Sequence, residues 1–295
     1  MEHLRVLRPA AEIYAFYDGR VDGYRFADGP NWVDDGALSL GIASYALVSG
    51  DSALVYDTHV SLEHARRIRG VLEADGVRSF TVVLSHWHLD HVAGTCAFAD
   101  CEVIASERTA ELLAASRSAI ESGSLEGPPA IDPLMLPTIT FGDRLELELG
   151  ELRLELLHTD IHSDDATVVW WPEHRLLLAG DTLEDTVTYV DDPAKLPTHR
   201  ANLETLRRLR PKRILPNHGD PGVIATGGYS DGLIAATEAY IDFLLRTRRD
   251  PALAKLTLRE LVHRLANKDM HYYEPYERVH SNNLDLVARG SIAAC

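Results

Sequence analysis

The chain has 295 residues, of which 45% are hydrophobic and 25% charged, so it can bury a substantial core in one large domain or two. A formal net charge of −16 argues against a polyanion as the main partner, and no apolar run of about eighteen residues is present to cross a membrane. The start, Met1-Glu2-His3-Leu4-Arg5, lacks the continuous apolar segment of an export signal. Cys96, Cys101 and Cys295 form neither a metal spacing nor a disulfide framework. A cytoplasmic protein with reduced thiols is therefore expected, with no nucleic-acid or membrane partner, while a homo-oligomer stays compatible with the sequence.

In chain order, the first strands fall at 12–17, 44–48 and 53–57. A helix follows over 61–74, with Leu62, Ala65, Ile68 and Leu72 on one face and Gly76 as its stop. The apolar run 80–84 reads as a buried parallel strand, and a helix begins near Ser106. Residues 122–129, rich in Gly, Ser and Pro, form a loop that divides two similar halves. Strands resume at 145–149, 152–157, 166–171 and 175–179, and a helix carrying Leu203, Leu206 and Leu209 leads to a last strand near 213–215. Residues 1–226 thus read as one α/β domain. From 227 to 295 the pattern is helical: Ser230 caps one helix, and Thr257-Leu258-Arg259-Glu260 has capping-box spacing before another. This extension is expected to dock its apolar stripe on the preceding domain, with Tyr272, Tyr273 and Tyr276 as packing residues or, alternatively, a groove wall.

The chemistry concentrates at strand ends. His86-Trp87-His88-Leu89-Asp90-His91 places three histidines and an aspartate directly after the strand at 80–84, where open α/β sheets put their sites. Neutral imidazole and carboxylate are ligand types that suit zinc and related divalent metals, and leaving them buried without a partner would be costly. His162, Asp181 and His218 each follow a further predicted strand. Asp57 also ends a strand and is assigned to orienting a ligand by hydrogen bond from outside the metal's own ring.

This ordered set, Asp57, His-x-His-x-Asp-His at 86–91, His162, Gly180-Asp181-Thr182 and His218, resembles the metallo-β-lactamase superfamily. The resemblance implies an αβ/βα sandwich, here with a C-terminal helical extension, and two metals in a groove at one edge. One metal would be held by His86, His88 and His162, the other by Asp90, His91 and His218, with Asp181 bridging. Two departures stand out. His158-Thr159-Asp160-Ile161-His162 lacks the usual Pro-Gly before the ligand, and Pro216-Asn217-His218-Gly219 has Asn where Gly is usual, an exchange that Asn's tolerance of left-handed backbone makes mild. His59 reads as a loop histidine, and Cys96 as a small buried hydrophobe.

The implied activity is that of a binuclear zinc hydrolase, with iron or manganese as alternative metals. A metal-bridging hydroxide would cleave a small ester, lactone, thioester or amide, including β-lactam-like bonds. The all-His/Asp set is similar to the thioesterase and lactonase branches. Asp90 would orient the nucleophile and pass a proton. Trp32, in an aromatic Gly/Pro loop, is the first candidate for apolar substrate contact or else that loop's anchor, and Tyr189 is a candidate donor to a developing oxyanion. The alternatives are a mononuclear iron dioxygenase on the same fold and a phosphodiesterase or nuclease branch.

Overall fold

The computed structural model describes residues 3–292; Cys295 lies outside the described residues. Twelve strands build two sheets. The first contains β1 (Arg5–Ala10), β2 (Ile13–Asp18), β3 (Ile42–Ser49), β4 (Ser52–Tyr56), β5 (Ser79–Val83), β6 (Glu102–Ser106) and β7 (Ile139–Phe141), in that spatial order. The second contains β8 (Arg144–Leu149), β9 (Leu152–His158), β10 (Thr167–Trp171), β11 (Leu176–Gly180) and β12 (Arg213–Pro216), also neighbour to neighbour.

Eight α-helices complete the chain: α1 (Leu62–Ala74), α2 (Leu89–Val92), α3 (Glu107–Glu121), α4 (Leu196–Leu209), α5 (Pro221–Ala225), α6 (Gly232–Thr247), α7 (Leu258–Leu265) and α8 (Tyr276–Ile292). The expected capping box of α7 is in place, closed by Thr257 and Glu260, and two further serine caps hold α1 and α3: Ser61 accepts from the His64 N–H and Ser106 from that of Thr109. Ser230 stands one residue ahead of the N-cap, Asp231, and its hydroxyl accepts from the Gly232 N–H.

The layering follows from side-chain alternation. Along β4, Leu54 and Tyr56 face the inter-sheet core, whereas Ala53 and Val55 join Ile68, Leu72 and Leu113 of α1 and α3 in a second apolar cluster. Leu203, Leu206, Ile234, Tyr240 and Leu244 cover the second sheet from outside, so α4 and α6 form the opposite helical layer. Tyr17, Tyr45 and Tyr56 cross the sandwich and donate their buried hydroxyls to the carbonyls of Gly219, Pro216 and Thr167.

Strand direction decides where the site lies. β4, β5 and β6 are parallel, as are β11 and β12, and β9 runs with β11 because each is antiparallel to β10. The carboxyl ends of β4 and β5 in one sheet, and of β9, β11 and β12 in the other, deliver Asp57, His86, His162, Asp181 and His218.

Several sequence expectations change. The loop at 122–129 is not the boundary between halves, because β7 lies beyond it yet pairs with β6; the break falls at Gly142-Asp143. β1, β6, β7 and α8 are additional elements, and the segment after Trp32 is a π-helical turn over Val33–Leu38. Cys96 is half-buried, not a core residue; neither it nor Cys101 is in a disulfide. No helix among the described residues is long and apolar enough to cross a membrane.

Candidate metal centre

The first ligand group forms because β5 ends and α2 begins within a few residues. His86 Nε2 lies 2.9 Å from His88 Nδ1, which lies 3.0 Å from His162 Nε2. The second group, Asp90, His91 and His218, is held by contacts of 3.5 Å between His91 Nε2 and Asp90 Oδ1 and 3.3 Å between His218 Nε2 and Asp90 Oδ2. Asp181 stands between them. Its Oδ2 is 3.1 Å from His91 Nε2, 3.3 Å from His218 Nε2 and 3.8 Å from both His86 Nε2 and His162 Nε2.

These residues fit a metal. His88 Nδ1 has two imidazole nitrogens within 3.0 Å but only one lone pair or one proton to share between them, whereas a cation uses the lone pair of all three. Asp181 Oδ1 is also buried without a hydrogen-bond partner. The surrounding atoms fix the outward faces of the rings: Ser85 Oγ meets His86 Nδ1 at 2.8 Å, Asp57 Oδ2 meets His91 Nδ1 at 2.9 Å, and the Gly41 carbonyl accepts from His218 Nδ1 at 2.8 Å.

Backbone geometry explains the two motif departures. His162 itself adopts the left-handed region at φ 72°, with buried Ile161 and the 2.7 Å Asp160–Lys195 ion pair holding the turn that Pro-Gly would otherwise supply. Asn217 is not left-handed. Its buried amide instead donates to Asp57 Oδ2 at 2.5 Å, so it braces the carboxylate that orients His91. Gly180 is required at φ 57°, since a Cβ there would sit 2.8 Å from the Tyr56 hydroxyl.

Charge divides the centre. Burial, then the neighbouring His91 and His88, hold His86 well below the usual histidine range, and burial takes His162 down to about 3. Burial opposes protonation of His91 and His218 too, but the Asp181 carboxylate outweighs it and raises both. Asp90 is lowered to about 2, its burial overcome by His91 and His218.

A groove of about 400 Å³ opens over the centre, a size suited to a small ligand. Trp32, Ala37, Leu40 and Val279 form its apolar wall, and Trp87, Glu126, Tyr189, Arg278 and Asn282 line the remainder. Trp32 borders the groove and also anchors its loop through a 2.9 Å hydrogen bond from Nε1 to the Pro129 carbonyl. Tyr189 lies edge-on to His162 at 5.9 Å between ring centroids. His59 is a loop histidine, as expected, but a fully buried one, stacked on His64 at 4.6 Å and outside the ligand groups. Tyr276 is buried in the packing, so the C-terminal wall comes from α8 through Arg278, Val279 and Asn282.

Sequence reasoning missed Glu184. It is 2% exposed beside His162 and Asp181, and burial together with the Asp181 charge pushes it up to about 8. One of two adjacent acids, Glu184-Asp185, three residues after a ligand carries no periodic or motif signal.

The sequence pattern of the Metallo-beta-lactamase superfamily matches residues 39–218. Among relatives, the Beta-lactamase-like protein 2 homolog of Caenorhabditis elegans is 25% identical over 71% of this chain and 64% of its own length. The Linear primary-alkylsulfatase of a Pseudomonas species is 23% identical over 58% of this chain and 40% of its own. The chain therefore spans less than two thirds of either relative. Among solved structures, a metallo-beta-lactamase from Pontibacter korlensis superposes with a TM-score of 0.62 at 18% identity, covering 81% of this chain and 99% of that one. The DIM-1 metallo-beta-lactamase exposed to ceftazidime gives 0.59 at 18% identity, over 81% and 97%. With the ordered ligand set at the shared edge of two packed sheets and the pattern matched from residue 39 to 218, the chain belongs to the metallo-β-lactamase superfamily.

Proposed function

We propose that this protein is a binuclear zinc hydrolase of a small ester, lactone, thioester or amide, acting in the cytoplasm on a small-molecule substrate. The observation that carries this reading is the position of Asp181, one carboxylate within 3.8 Å of histidines from both ligand groups. His86, His88 and His162 would hold one ion, Asp90, His91 and His218 the other, with Asp181 shared. When bound, the ion pair supplies Lewis acidity and lowers the pKa of a water it holds from 15.7 toward about 7.

The chain's own groups do the rest. Asp90 keeps 18% of its side chain exposed and lines the groove, which places a carboxylate where it can orient a nucleophile and carry a proton to the leaving atom. Trp32, Ala37, Leu40 and Val279 exclude water from one side of the reacting bond and receive its apolar substituent. Tyr189, half-buried beside His162, can donate its hydroxyl to a developing oxyanion. The half-buried free thiols of Cys96 and Cys101 suit a reducing compartment.

The test is elemental analysis of the purified protein joined to a hydrolysis screen of lactones, thioesters, β-lactams, phosphodiesters and, because one relative is named as an alkylsulfatase, linear alkyl sulfates. Two zinc ions per chain with turnover that Asp181→Ala abolishes, together with lost metal, is the expected result. One iron with oxygen consumption, or an Asp181→Ala variant that keeps two metals and normal kcat, would overturn the reading.

A further inference from the structure

Each imidazole that presents Nε2 to the centre needs an acceptor for its other nitrogen. His86 has Ser85, His91 has Asp57 and His218 has the Gly41 carbonyl. His162 is the exception: its Nε2 faces His88 Nδ1, yet its Nδ1 is buried with no hydrogen-bond partner. The group that faces this nitrogen is Glu184, whose Oε1 lies 3.6 Å away.

Glu184 is itself anchored from two sides. The Tyr276 hydroxyl donates to Oε2 at 3.0 Å and the Tyr189 N–H to Oε1 at 3.1 Å, while the Thr188 hydroxyl, also 3.1 Å from Oε1, has its nearer acceptor in the Asp181 carbonyl at 2.6 Å. A carboxyl group this deeply buried is costly unless partners use its polar atoms, and the arrangement leaves Oε1, which can accept whether or not the group is ionised, facing the orphaned imidazole nitrogen. The separation exceeds a hydrogen bond by about half an ångström, so the bond requires the two groups to approach by that much.

We propose that Glu184 is the positioning residue of His162: it accepts the Nδ1–H and so fixes the tautomer that leaves Nε2 free for a metal, with Tyr276 holding the carboxylate in place. This rests on the metal-binding reading above. It makes α8, which lies beyond the matched region 39–218, a working part of the centre, because the helix that begins at Tyr276 also supplies Arg278, Val279 and Asn282 to the groove. Docking of that helix and metal affinity are then coupled.

The experiment measures zinc affinity by chelator competition in the full chain and reads the His162 tautomer from imidazole ¹⁵N shifts. Glu184→Leu should weaken zinc binding about 10- to 100-fold, as loss of such partners does, while Glu184→Gln, whose amide oxygen still accepts, should stay within about threefold. Wild type and Glu184→Gln should both show a protonated Nδ1. Wild-type affinity in Glu184→Leu would overturn the proposal; so would a Glu184→Gln variant as weak as Glu184→Leu, which would make Glu184 a direct ligand. If Glu184→Leu fails to fold, as melting of the metal-free protein would reveal, Tyr276→Phe removes only one hydroxyl and carries the test. Unchanged zinc affinity with Nδ1 unprotonated in that variant would overturn the proposal. A wild-type protein that binds no zinc would instead sink the metal reading and this proposal with it.

Discussion

Asp57 and His91 stand 34 positions apart, yet the carboxylate at the end of β4 meets the imidazole of α2 at 2.9 Å and is 1% exposed. The same carboxylate accepts from the Ser85 N–H at 2.6 Å and the Asn217 amide at 2.5 Å, so it ties the first sheet's metal loop to the second sheet's last strand. Asp57→Ala should cut metal affinity about 10- to 100-fold. It should also destabilise the fold by about 1–3 kcal/mol for each buried donor left without an acceptor, the His91 ring nitrogen, the Ser85 N–H and the Asn217 amide. Chelator competition and chemical denaturation measure these separately; a variant unchanged in both would remove Asp57 from any role in orienting His91.

Asp90 separates binding from chemistry. Asp90→Asn keeps the side chain's shape but not its charge or proton capacity, so part of the metal content should remain while kcat falls more than KM changes. A loss confined to KM would refute proton handling by Asp90.

Zinc binding should release protons. Asp181 raises His91 and His218 against the opposing effect of burial, so in the metal-free protein both carry protons that a metal must displace. Affinity should therefore fall as pH falls. By the same linkage, these raised groups stabilise the metal-free fold fully below their unfolded value of about 6.5 and lose that contribution as pH rises through the folded values. Calorimetric titration of zinc in two buffers with different ionisation heats counts the protons; a count of zero would contradict the assignment.

Trp32 has two jobs that two variants divide. Trp32→Ala should destabilise by about 3–5 kcal/mol and raise KM for bulky substrates, with metal content intact. Trp32→Phe keeps an aromatic ring on the groove wall but loses the hydrogen bond to Pro129, about 1 kcal/mol, together with the packing of the second ring, so it should lower stability while moving KM less than Trp32→Ala does. If Trp32→Ala lowers the melting temperature without moving KM for any substrate, the residue is an anchor alone.

Much of the centre was legible along the chain because its ligands are covalently adjacent to strand ends. A run such as Phe80-Thr81-Val82-Val83-Leu84 announces a buried strand by itself, and whatever polar residues follow it must emerge at its carboxyl edge. The order of Asp57, the 86–91 cluster, His162, Asp181 and His218 therefore pointed to the fold and to residues that converge where a metal could be held. β7, with three residues, is too short to show a period, and it joins its sheet only because β6 offers a free edge.

Only the tertiary structure decided the roles of α8, Asn217 and Glu184. In α8 the buried positions Tyr276, Val279, His280, Asn283 and Val287 follow helical spacing, but two of them are polar, so no apolar stripe marks the helix. His280 is buried because the Leu256 carbonyl and Tyr240 satisfy it, and Asn283 because the Thr188 carbonyl and the Val190 N–H do. The same holds for Glu184, whose donors come from 189 and 276. A strand writes its burial into its own alternation, whereas a buried polar side chain is tolerated only by partners that folding brings from elsewhere, and those partners leave no trace beside it in the chain.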